Sequence, residues 1–264
     1  MTPVSLSSAL ITGASGGIGY ELAKLFAQDG TGLILVARQE DALRRIQQEF
    51  EQQYGIQVAY LALDLAGPGA ATTLYNWCHA QGLTVDCLVN NAGYGDYGQV
   101  AQADPARYEN LLQLNVVALT TLTTLFVKDM VARRRGRILN IGSLAAFQPV
   151  PQLAVYAASK SFVMHFTEAL HGELRGTGVS ATVLNPGVTK TGFVARANMG
   201  RSADAQGQLL DAAQVARAGY RGLLRGKLNV VPGLRGKVLS FSAGLMPSRR
   251  LLLAIATLVS RPTR

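Results

Sequence analysis

Gly13-Ala14-Ser15-Gly16-Gly17-Ile18-Gly19 is the stretch that decides the fold of this chain. It follows a short apolar run at 9–12 and leads directly into a segment of helical periodicity. Glycines allow a sharp turn between a strand and a helix, and they let backbone approach a ligand closely. The exposed N–H groups and the positive end of the helix dipole attract an anion. The stretch therefore predicts a strand–turn–helix unit that cradles a pyrophosphate.

The same strand-then-helix order recurs along the chain. Strands that are buried on both faces have unbroken apolar runs, and parallel neighbours need helical crossovers. We therefore expect a Rossmann-type, doubly wound parallel α/β sheet in three layers (α/β/α), within a single domain over 1–264. About seven strands are predicted, at 9–12, 33–37, 58–63, 87–89, 137–141, 180–184 and 229–231.

Composition narrows the setting of the protein. The length of 264 residues suits one large core. Cys78 and Cys87 are too few for a disulfide framework and are predicted to be buried thiols. The N-terminus lacks the pattern of a secretory leader, so a cytoplasmic location is expected. The three histidines have no ligand spacing with cysteines or carboxylates, so no metal site is expected.

The end of the second predicted strand bears on the choice of cofactor. In dinucleotide folds that bind NAD, an acidic residue at this place holds the ribose hydroxyls. Here the sequence is Leu35-Val36-Ala37-Arg38. Arg38 carries a planar, charged fork that suits a 2′-phosphate, and Ser15 adds a hydroxyl donor. NADP(H) is therefore preferred and NAD(H) is left open; in the competing interpretation Arg38 only caps the helix that begins near Asp41.

Tyr156-Ala157-Ala158-Ser159-Lys160 places a phenol and an ammonium four residues apart, on one face of a helix. Nearby positive charge lowers the pKa of a tyrosine, as a group that exchanges protons near neutral pH requires. The strand at 137–141 runs into Gly142-Ser143. Ser143 is therefore a candidate to donate a hydrogen bond to a substrate oxygen held beside Tyr156.

With these motifs in place, the sequence resembles the short-chain dehydrogenase/reductase family. The segment 12–19 matches that family's Thr-Gly-x-x-x-Gly-x-Gly turn, and its motifs recur in the family's order from Thr12 to Thr191. The further matches are Asp64-Leu65, Asn90-Asn91-Ala92-Gly93, Asn185-Pro186-Gly187 through Thr191, and the catalytic tetrad Asn115, Ser143, Tyr156 and Lys160.

The resemblance implies an NADP(H)-dependent oxidoreductase that moves a hydride between a nicotinamide and a carbonyl or secondary alcohol. It implies that Tyr156 is the general acid or base, and that Lys160 binds the nicotinamide ribose and lowers the pKa of the tyrosine. It has Ser143 orient the substrate oxygen and Asn115 anchor a water that relays protons. The implied cofactor contacts are Gly13, Ser15, Gly16, Gly17, Ile18, Gly19, Arg38, Asp64, Leu65, Asn91, Ala92, Gly93, Tyr156, Lys160, Pro186, Gly187, Val188, Thr189 and Thr191.

The substrate side is predicted to be apolar, with walls from Tyr94, Phe147, Leu153 and Phe193. The segment at about 191–210 is rich in small and polar residues and is interpreted as a mobile substrate lid. The segment at about 234–264 is predicted to be a helical extension, and its apolar stretch is too short to span a bilayer. Packing on its own domain or at a subunit interface is favoured, and shallow docking on an anionic membrane is left open.

The formal net charge of +9 permits anionic partners without choosing one. Nucleic acid is not expected, since no recognition motif is present. Arg133, Arg134, Arg135 and Arg137 are interpreted as a solvated helix end. The resemblance suggests a homodimer or homotetramer through the long helices at 105–133 and 155–174. The alternative function is an NADP(H)-binding redox sensor or peripheral membrane protein with the same fold; the substrate and the reaction direction are left open.

Overall fold

A parallel sheet of seven strands forms the centre of the structure, a computed structural model that describes residues 7–193, 197, 209–246 and 248–260. The strand order is β3-β2-β1-β4-β5-β6-β9, which confirms the predicted doubly wound fold. Chain order reverses between β1 and β4, and ligands bind at such a switch point, beyond the carboxyl ends of the strands. The strands are β1 (Ser8–Thr12), β2 (Gly32–Ala37), β3 (Val58–Ala62), β4 (Cys87–Asn90), β5 (Gly136–Ile141), β6 (Val179–Leu184) and β9 (Asn229–Val230); β7 (Thr189–Lys190) and β8 (Leu210–Asp211) form a separate pair.

Helices cover both faces of the sheet. On one face α1, α2 and α7 bury Phe26, Phe50 and Tyr220, and on the other α3, α5 and α6 bury Leu74, Phe126 and Leu170. Burial of such a side chain stabilises the fold by about 1.5–3 kcal/mol. The helices are α1 (Gly17–Gln28), α2 (Glu40–Tyr54), α3 (Ala70–Ala80), α4 (Pro105–Leu112), α5 (Leu119–Ala132), α6 (Ala154–Glu173), α7 (Ala212–Leu224), α8 (Leu234–Leu245) and α9 (Arg249–Ser260).

The structure does not form the single long helix that the sequence predicts at 105–133. A π-helical turn, Gln113–Ala118, separates α4 from α5 and carries Asn115. Such turns are frequent at functional sites because they re-aim a side chain. The whole stretch Pro105–Ala132 is long and apolar enough to cross a membrane by length and composition. Its buried side chains, Leu122, Phe126 and Met130, pack against the sheet, so we interpret it as a core helix.

The arginines after α5 lie at the amino ends of the strands, opposite the predicted site at the carboxyl ends. The interpretation of a solvated helix end is wrong for Arg135 and Arg137, which are partly buried. Arg135 Nη2 lies 2.8 Å from Oδ2 of the buried Asp86, and Arg137 Nη1 donates to the carbonyl oxygen of Leu223 at 3.0 Å. Arg133 and Arg134 are exposed. At the amino ends of the strands, Arg135 therefore anchors the chain before β4, and Arg137 links β5 to α7.

Both cysteines are buried free thiols, as predicted. Cys78 lies on α3 and Cys87 opens β4. Burial raises the pKa of Cys78 to about 12, so the thiol stays protonated and inert near neutral pH.

A buried polar ladder joins the carboxyl ends of β4 and β5 to the helices that carry the predicted tetrad. Asn90 Nδ2 donates to Thr123 Oγ1 and to Asn140 Oδ1, both at 2.9 Å. Asn140 Nδ2 in turn donates to Thr167 Oγ1 of α6 at 2.9 Å. All four side chains are almost fully buried. The ladder therefore sets the positions of α5 and α6 on the sheet.

We expect Asn140→Leu to lower the free energy of unfolding by about 1–3 kcal/mol, because it removes two hydrogen bonds from groups that cannot reach water. Urea denaturation measures the change. Gln53→Leu, at an exposed position of α2, is the control and should change stability by less than about 0.5 kcal/mol. Equal losses in both variants would contradict a structural role for the ladder.

Candidate active site

A single deep crevice runs along the carboxyl ends of the strands and holds almost every predicted site residue. Its volume is about 1570 Å³, and it extends from the glycine turn past Tyr156 to α8 and α9. Of the predicted cofactor contacts, all but Gly19 line it, and so do Ser143 and the four predicted substrate-wall residues. Asn115 and Gly19 lie behind the lining, where they are buried. A nucleotide and a substrate therefore fit end to end in one cavity.

The glycine turn is held by the chain that follows β4. Thr12 Oγ1 accepts hydrogen bonds from the backbone N–H groups of Asn91 and Ala92, each at 3.0 Å. The Asn91 side-chain amide donates to the carbonyl oxygens of Thr12 at 2.8 Å and Gly13 at 3.1 Å. Because the side-chain amide of Asn91 is hydrogen-bonded to the turn, it stabilises the shape of the cofactor cradle.

The adenosine end of the crevice carries Arg38 and Ser15. Arg38 Nη1 lies 3.9 Å from Asp64 Oδ2, and both side chains are more than half exposed. Such a pair is weak, so the guanidinium is free to turn toward a phosphate. Ser15 Oγ donates to Gln39 Oε1 at 3.0 Å, and Gln39 is a crevice residue that the sequence patterns did not single out. The interpretation of Arg38 as a helix cap is wrong, because Gln39 occupies the N-cap of α2.

Tyr156 and Lys160 lie one turn apart on α6, as the sequence predicted, and both face the crevice. The Lys160 Nζ atom lies 5.8 Å from the centroid of the Tyr156 ring and donates to the carbonyl oxygen of Ile141 at 2.8 Å. Both side chains are almost fully buried. A buried ammonium next to a phenol is the arrangement that a proton-transfer site needs.

Burial dominates the electrostatics of this pair. Desolvation raises the pKa of Tyr156 to about 12, opposed by a hydrogen bond with Ser143, and desolvation lowers the pKa of Lys160 to about 8. In each case burial disfavours the charged form of the group. Tyr156 is therefore protonated at neutral pH and can donate a proton to a developing oxyanion, while Lys160, with a pKa of about 8, is largely charged.

Ser143 follows β5 and is held by a buried amide. Its backbone N–H donates to Asn185 Oδ1 at 2.9 Å, and its hydroxyl accepts a hydrogen bond from Ala145 N at 3.1 Å. Asn185 Nδ2 donates to Asn229 Oδ1, and Asn229 Nδ2 donates to Glu168 Oε1, each at 3.1 Å. The chain of amides thus ties the Ser143 loop to β6, β9 and α6.

Asn115 has a fully engaged side chain. Its Nδ2 donates to the carbonyl oxygen of Tyr94 at 2.9 Å and to Ser159 Oγ at 3.2 Å, and its Oδ1 accepts from Tyr94 N at 3.2 Å. The side chain is 1% exposed. Its amide therefore fixes the loop after β4 against the π turn and α6.

Sequence comparison identifies the family to which this geometry belongs. The profile described as short chain dehydrogenase matches residues 7–202, about three quarters of the chain. The chain belongs to the short-chain dehydrogenase family. This membership confirms the resemblance and the oxidoreductase class that the motifs indicated.

Two relatives and one solved structure illustrate the range of the match. Sulfoacetaldehyde reductase 2 of Chromohalobacter salexigens is 36% identical over 186 residues, which are 70% of this chain and 73% of that protein. Very-long-chain 3-oxoacyl-CoA reductase of Anas platyrhynchos is 32% identical over 184 residues, 67% of this chain but only 58% of that protein. A short-chain dehydrogenase of Sphingobium yanoikuyae in complex with NADPH has a TM-score of 0.82 at 29% identity, covering 94% of this chain and 95% of that chain.

The substrate end of this short-chain dehydrogenase is largely apolar. Tyr94, Phe147, Leu153 and Phe193 line the crevice as predicted, and the Phe193 ring lies 5.4 Å from the Tyr156 ring, centroid to centroid. The proposed lid at about 191–210 falls mostly outside the described residues. Beyond the predicted walls, α8 and α9 add Leu234, Val238, Leu239, Ala243, Ile255 and Ala256 to the lining.

Two groups of functional positions could not be read from the sequence. Asn185 was visible only as part of a motif, because its contact with the Ser143 loop joins strands that are distant in sequence. The lining from α8 and α9 carried no motif at all. The only sequence signal there was apolar composition, which does not say what a helix packs against.

Gly19 provides a test of the dehydrogenase turn. A β-carbon at Gly19 would lie 2.4 Å from the Gly13 carbonyl oxygen and 2.5 Å from Asn91 Nδ2. We expect Gly19→Ala to lower the free energy of unfolding by about 1–3 kcal/mol, because backbone must move to admit the methyl group. Thermal unfolding without nucleotide measures this.

Gly16→Ala is the matched control for the turn. Gly16 has an extended backbone (φ 173°), and a β-carbon there would have no atom within 4 Å. Its stability should stay close to that of the parent chain. A loss as large as that of Gly19→Ala would refute the steric explanation.

Proposed function

We propose that this short-chain dehydrogenase is an NADP(H)-dependent enzyme that interconverts an apolar carbonyl compound and its alcohol. The observation that carries the proposal is the juxtaposition of Tyr156, Ser143 and Lys160 with the glycine turn along one crevice. The cofactor supplies the hydride when it is bound. The chain supplies a cradle for the nucleotide, a donor for the proton and a largely apolar space for the substrate.

The fit of the crevice to a dinucleotide supports this proposal. Gly16 leaves open space where any other residue would place a side chain, and the crevice continues from there to Arg38 at one end and Tyr156 at the other. The N-terminus of α1 directs its free N–H groups and positive dipole end into that space. These residues would hold the phosphates, the adenosine and the nicotinamide in that order.

Each member of the tetrad has a role that follows from its contacts. The Tyr156 hydroxyl, kept neutral by burial, donates its proton to the oxygen of a carbonyl substrate and takes it back when an alcohol is oxidised. Ser143 donates a hydrogen bond to the same oxygen from a loop that Asn185 holds in place. Lys160 favours the transient phenolate by its charge and binds ribose hydroxyls. The side chain of Asn115 is already hydrogen-bonded to Tyr94 and Ser159, so Asn115 would support the proton relay by fixing the position of the π turn.

NADP(H) is preferred over NAD(H) in this proposal. Arg38 is exposed at the end of β2, and no acidic residue stands there to hold the ribose hydroxyls. The NADPH in the structure of the Sphingobium yanoikuyae relative supports the same preference. NAD(H) stays open as a weaker cofactor.

We also propose that the enzyme is a homo-oligomer in the cytoplasm. Leu112, Val117 and Phe162, along α4, the π turn and α6, have 40%, 45% and 42% of their surface exposed. Phe162 stacks on Phe166 at 5.8 Å between ring centroids, which makes a flat apolar face. Pairing of these helices between subunits would bury that face, and sedimentation velocity would measure it.

We expect Tyr156→Phe to reduce turnover by about 10²–10⁴-fold while NADPH affinity changes little, because only the proton donor is removed. The assay follows nicotinamide absorbance over a panel of aldehydes, ketones and secondary alcohols. Tyr97→Phe is the matched control, since the Tyr97 hydroxyl has no hydrogen-bond partner among the described residues and lies outside the crevice lining. Tight NADPH binding without turnover by the parent chain across the panel would favour a redox-sensing role instead.

Arg38→Asp tests the cofactor preference. We expect the Kd for NADPH to rise by about 10–100-fold, as loss of a charge-assisted hydrogen bond implies, while NADH binding is kept or improved. Arg45→Asp carries the same charge change at an exposed position of α2 and should leave both affinities close to those of the parent. Fluorescence titration gives the four values. Equal weakening by both variants would show that net charge alone governs binding.

A further inference from the structure

The outer face of α8 carries a stripe of exposed apolar side chains. Leu234, Val238, Phe241 and Leu245 have 78%, 59%, 69% and 66% of their surface exposed. Their spacing of four, three and four residues places all of them on one side of the helix. A surface helix of a soluble protein normally turns such a stripe toward its core, so this stripe needs a partner.

The orientation of α8 is set by its inner face. Gly236 is buried, and a β-carbon there would lie 3.0 Å from Val231 Cγ1 and 3.4 Å from Leu144 Cδ1. Val238, Leu239 and Ala243 line the crevice from this helix. The helix therefore cannot rotate to bury its stripe without losing a close backbone contact next to the Ser143 loop.

The next helix in the chain, α9, also exposes apolar side chains. Leu252 and Ala256 are buried, whereas Leu251 and Leu253 have 47% and 46% of their surface exposed. Each of the two helices has 12 residues. Both are too short to span a bilayer, which takes about 20 residues. The pair therefore offers a surface that can lie in an interface.

The charge of this region is entirely of one sign. The last of the 16 acidic residues of the chain is Asp211, so 212–264 holds no carboxylate side chain. The same segment holds ten basic residues, Arg217, Arg221, Arg225, Lys227, Arg235, Lys237, Arg249, Arg250, Arg261 and Arg264. Arg235 and Lys237 lie on either side of the apolar stripe, within the first turn of α8. The ten unopposed cations of this segment thus account for the net charge of +9 of the whole chain.

We propose that α8 and α9 dock on an anionic phospholipid surface, with the apolar stripe in the headgroup–acyl boundary and the flanking cations at the lipid phosphates. This goes beyond the proposed function. Apolar side chains on one face and unopposed cations beside them are the chemistry that anionic bilayers recognise. A symmetric contact with a second copy would bring two sets of cations together with no carboxylate from these helices to pair with them, so a bilayer is the better complement.

Docking has a geometric consequence for the crevice. Leu234 and Val238, at the start of the stripe, line the crevice together with Leu239, and α9 adds Ile255 to the same lining. A bilayer against the stripe therefore lies next to the entrance through which an apolar substrate would reach Tyr156. The membrane contact and the active site share one helix: Phe241 and Leu245 belong to the stripe alone, whereas Leu234 and Val238 also line the crevice.

Co-sedimentation of the full chain with vesicles tests the proposal. We expect binding to vesicles of phosphatidylcholine with about one third phosphatidylglycerol, weak binding to phosphatidylcholine alone, and a fall in affinity as salt rises from low to physiological concentration, since screening weakens the charge attraction. No binding to anionic vesicles at low salt, or equal binding to both compositions, would overturn it.

Variants locate the surface. Phe241→Glu and Leu245→Glu lie outside the crevice lining and should weaken binding to anionic vesicles at least about 10-fold while NADPH affinity is kept. Val100→Glu introduces the same charge at an exposed apolar residue outside α8, 59% exposed and remote in sequence, and should bind vesicles like the parent. Lys237→Gln should reduce both the affinity and its dependence on salt.

Sedimentation velocity without lipid tests the competing occupant of the stripe, a second copy of this chain. If Phe241→Glu dissociates an oligomer that the parent chain forms, and the parent does not bind vesicles, the stripe is a subunit interface and the proposal is wrong. Circular dichroism and nicotinamide turnover of each variant show that the chain is folded, so a loss of lipid binding is assigned to the surface itself. A failure of this proposal leaves NADPH binding and turnover unaffected and is thus distinct from a failure of the proposed function.

Discussion

The hydrogen bonds between Thr12 and the chain after β4 are the constraint on which the rest of the site depends. They join the ends of the two strands at which chain order reverses, and they hold the glycine turn open toward the crevice. Gly19 packs so closely behind the turn that a methyl group has no room. A short polar contact at the centre of the sheet thereby sets where the helix dipole of α1 points, and the phosphate cradle follows from that direction.

The catalytic groups depend in turn on buried polar contacts rather than on the apolar core. The core clusters hold helices against the sheet, but dispersion contacts alone tolerate small slips between layers. The ladder from Asn90 to Thr167 and the amides from Asn185 to Glu168 prevent such slips, because each donor is away from water and must keep its acceptor. Tyr156 and Lys160 on α6 and Ser143 in the loop after β5 are consequently held at the carboxyl ends of the strands. Burial then shifts the pKa values of the phenol and the ammonium in opposite directions.

The C-terminal helices relate this site to the surroundings of the protein. α8 lines the substrate end with Leu239 and Ala243 and exposes Phe241 and Leu245 on its outer face. Both helices lie beyond the profile match, which covers residues 7–202. A segment outside the shared motifs therefore contributes both to the substrate end of the crevice and to the surface beside it, and that is where a dehydrogenase can acquire its own substrate and location.

Local chemistry made much of this protein readable from sequence. The apolar runs of β1, β2 and β6, the glycine turn and the Tyr156–Lys160 spacing are all properties of short segments, and they correctly predicted the doubly wound sheet and the family. Other features arise only between distant segments. Four features depend on which elements become neighbours. They are the π turn at Asn115, the hydrogen bond from Ser143 N to Asn185, the ion pair of Arg135 with Asp86 and the exposed stripe of α8. Periodicity reports which residues share a face of a helix, whereas the neighbours that the fold supplies decide whether that face meets the core, a cofactor or solvent.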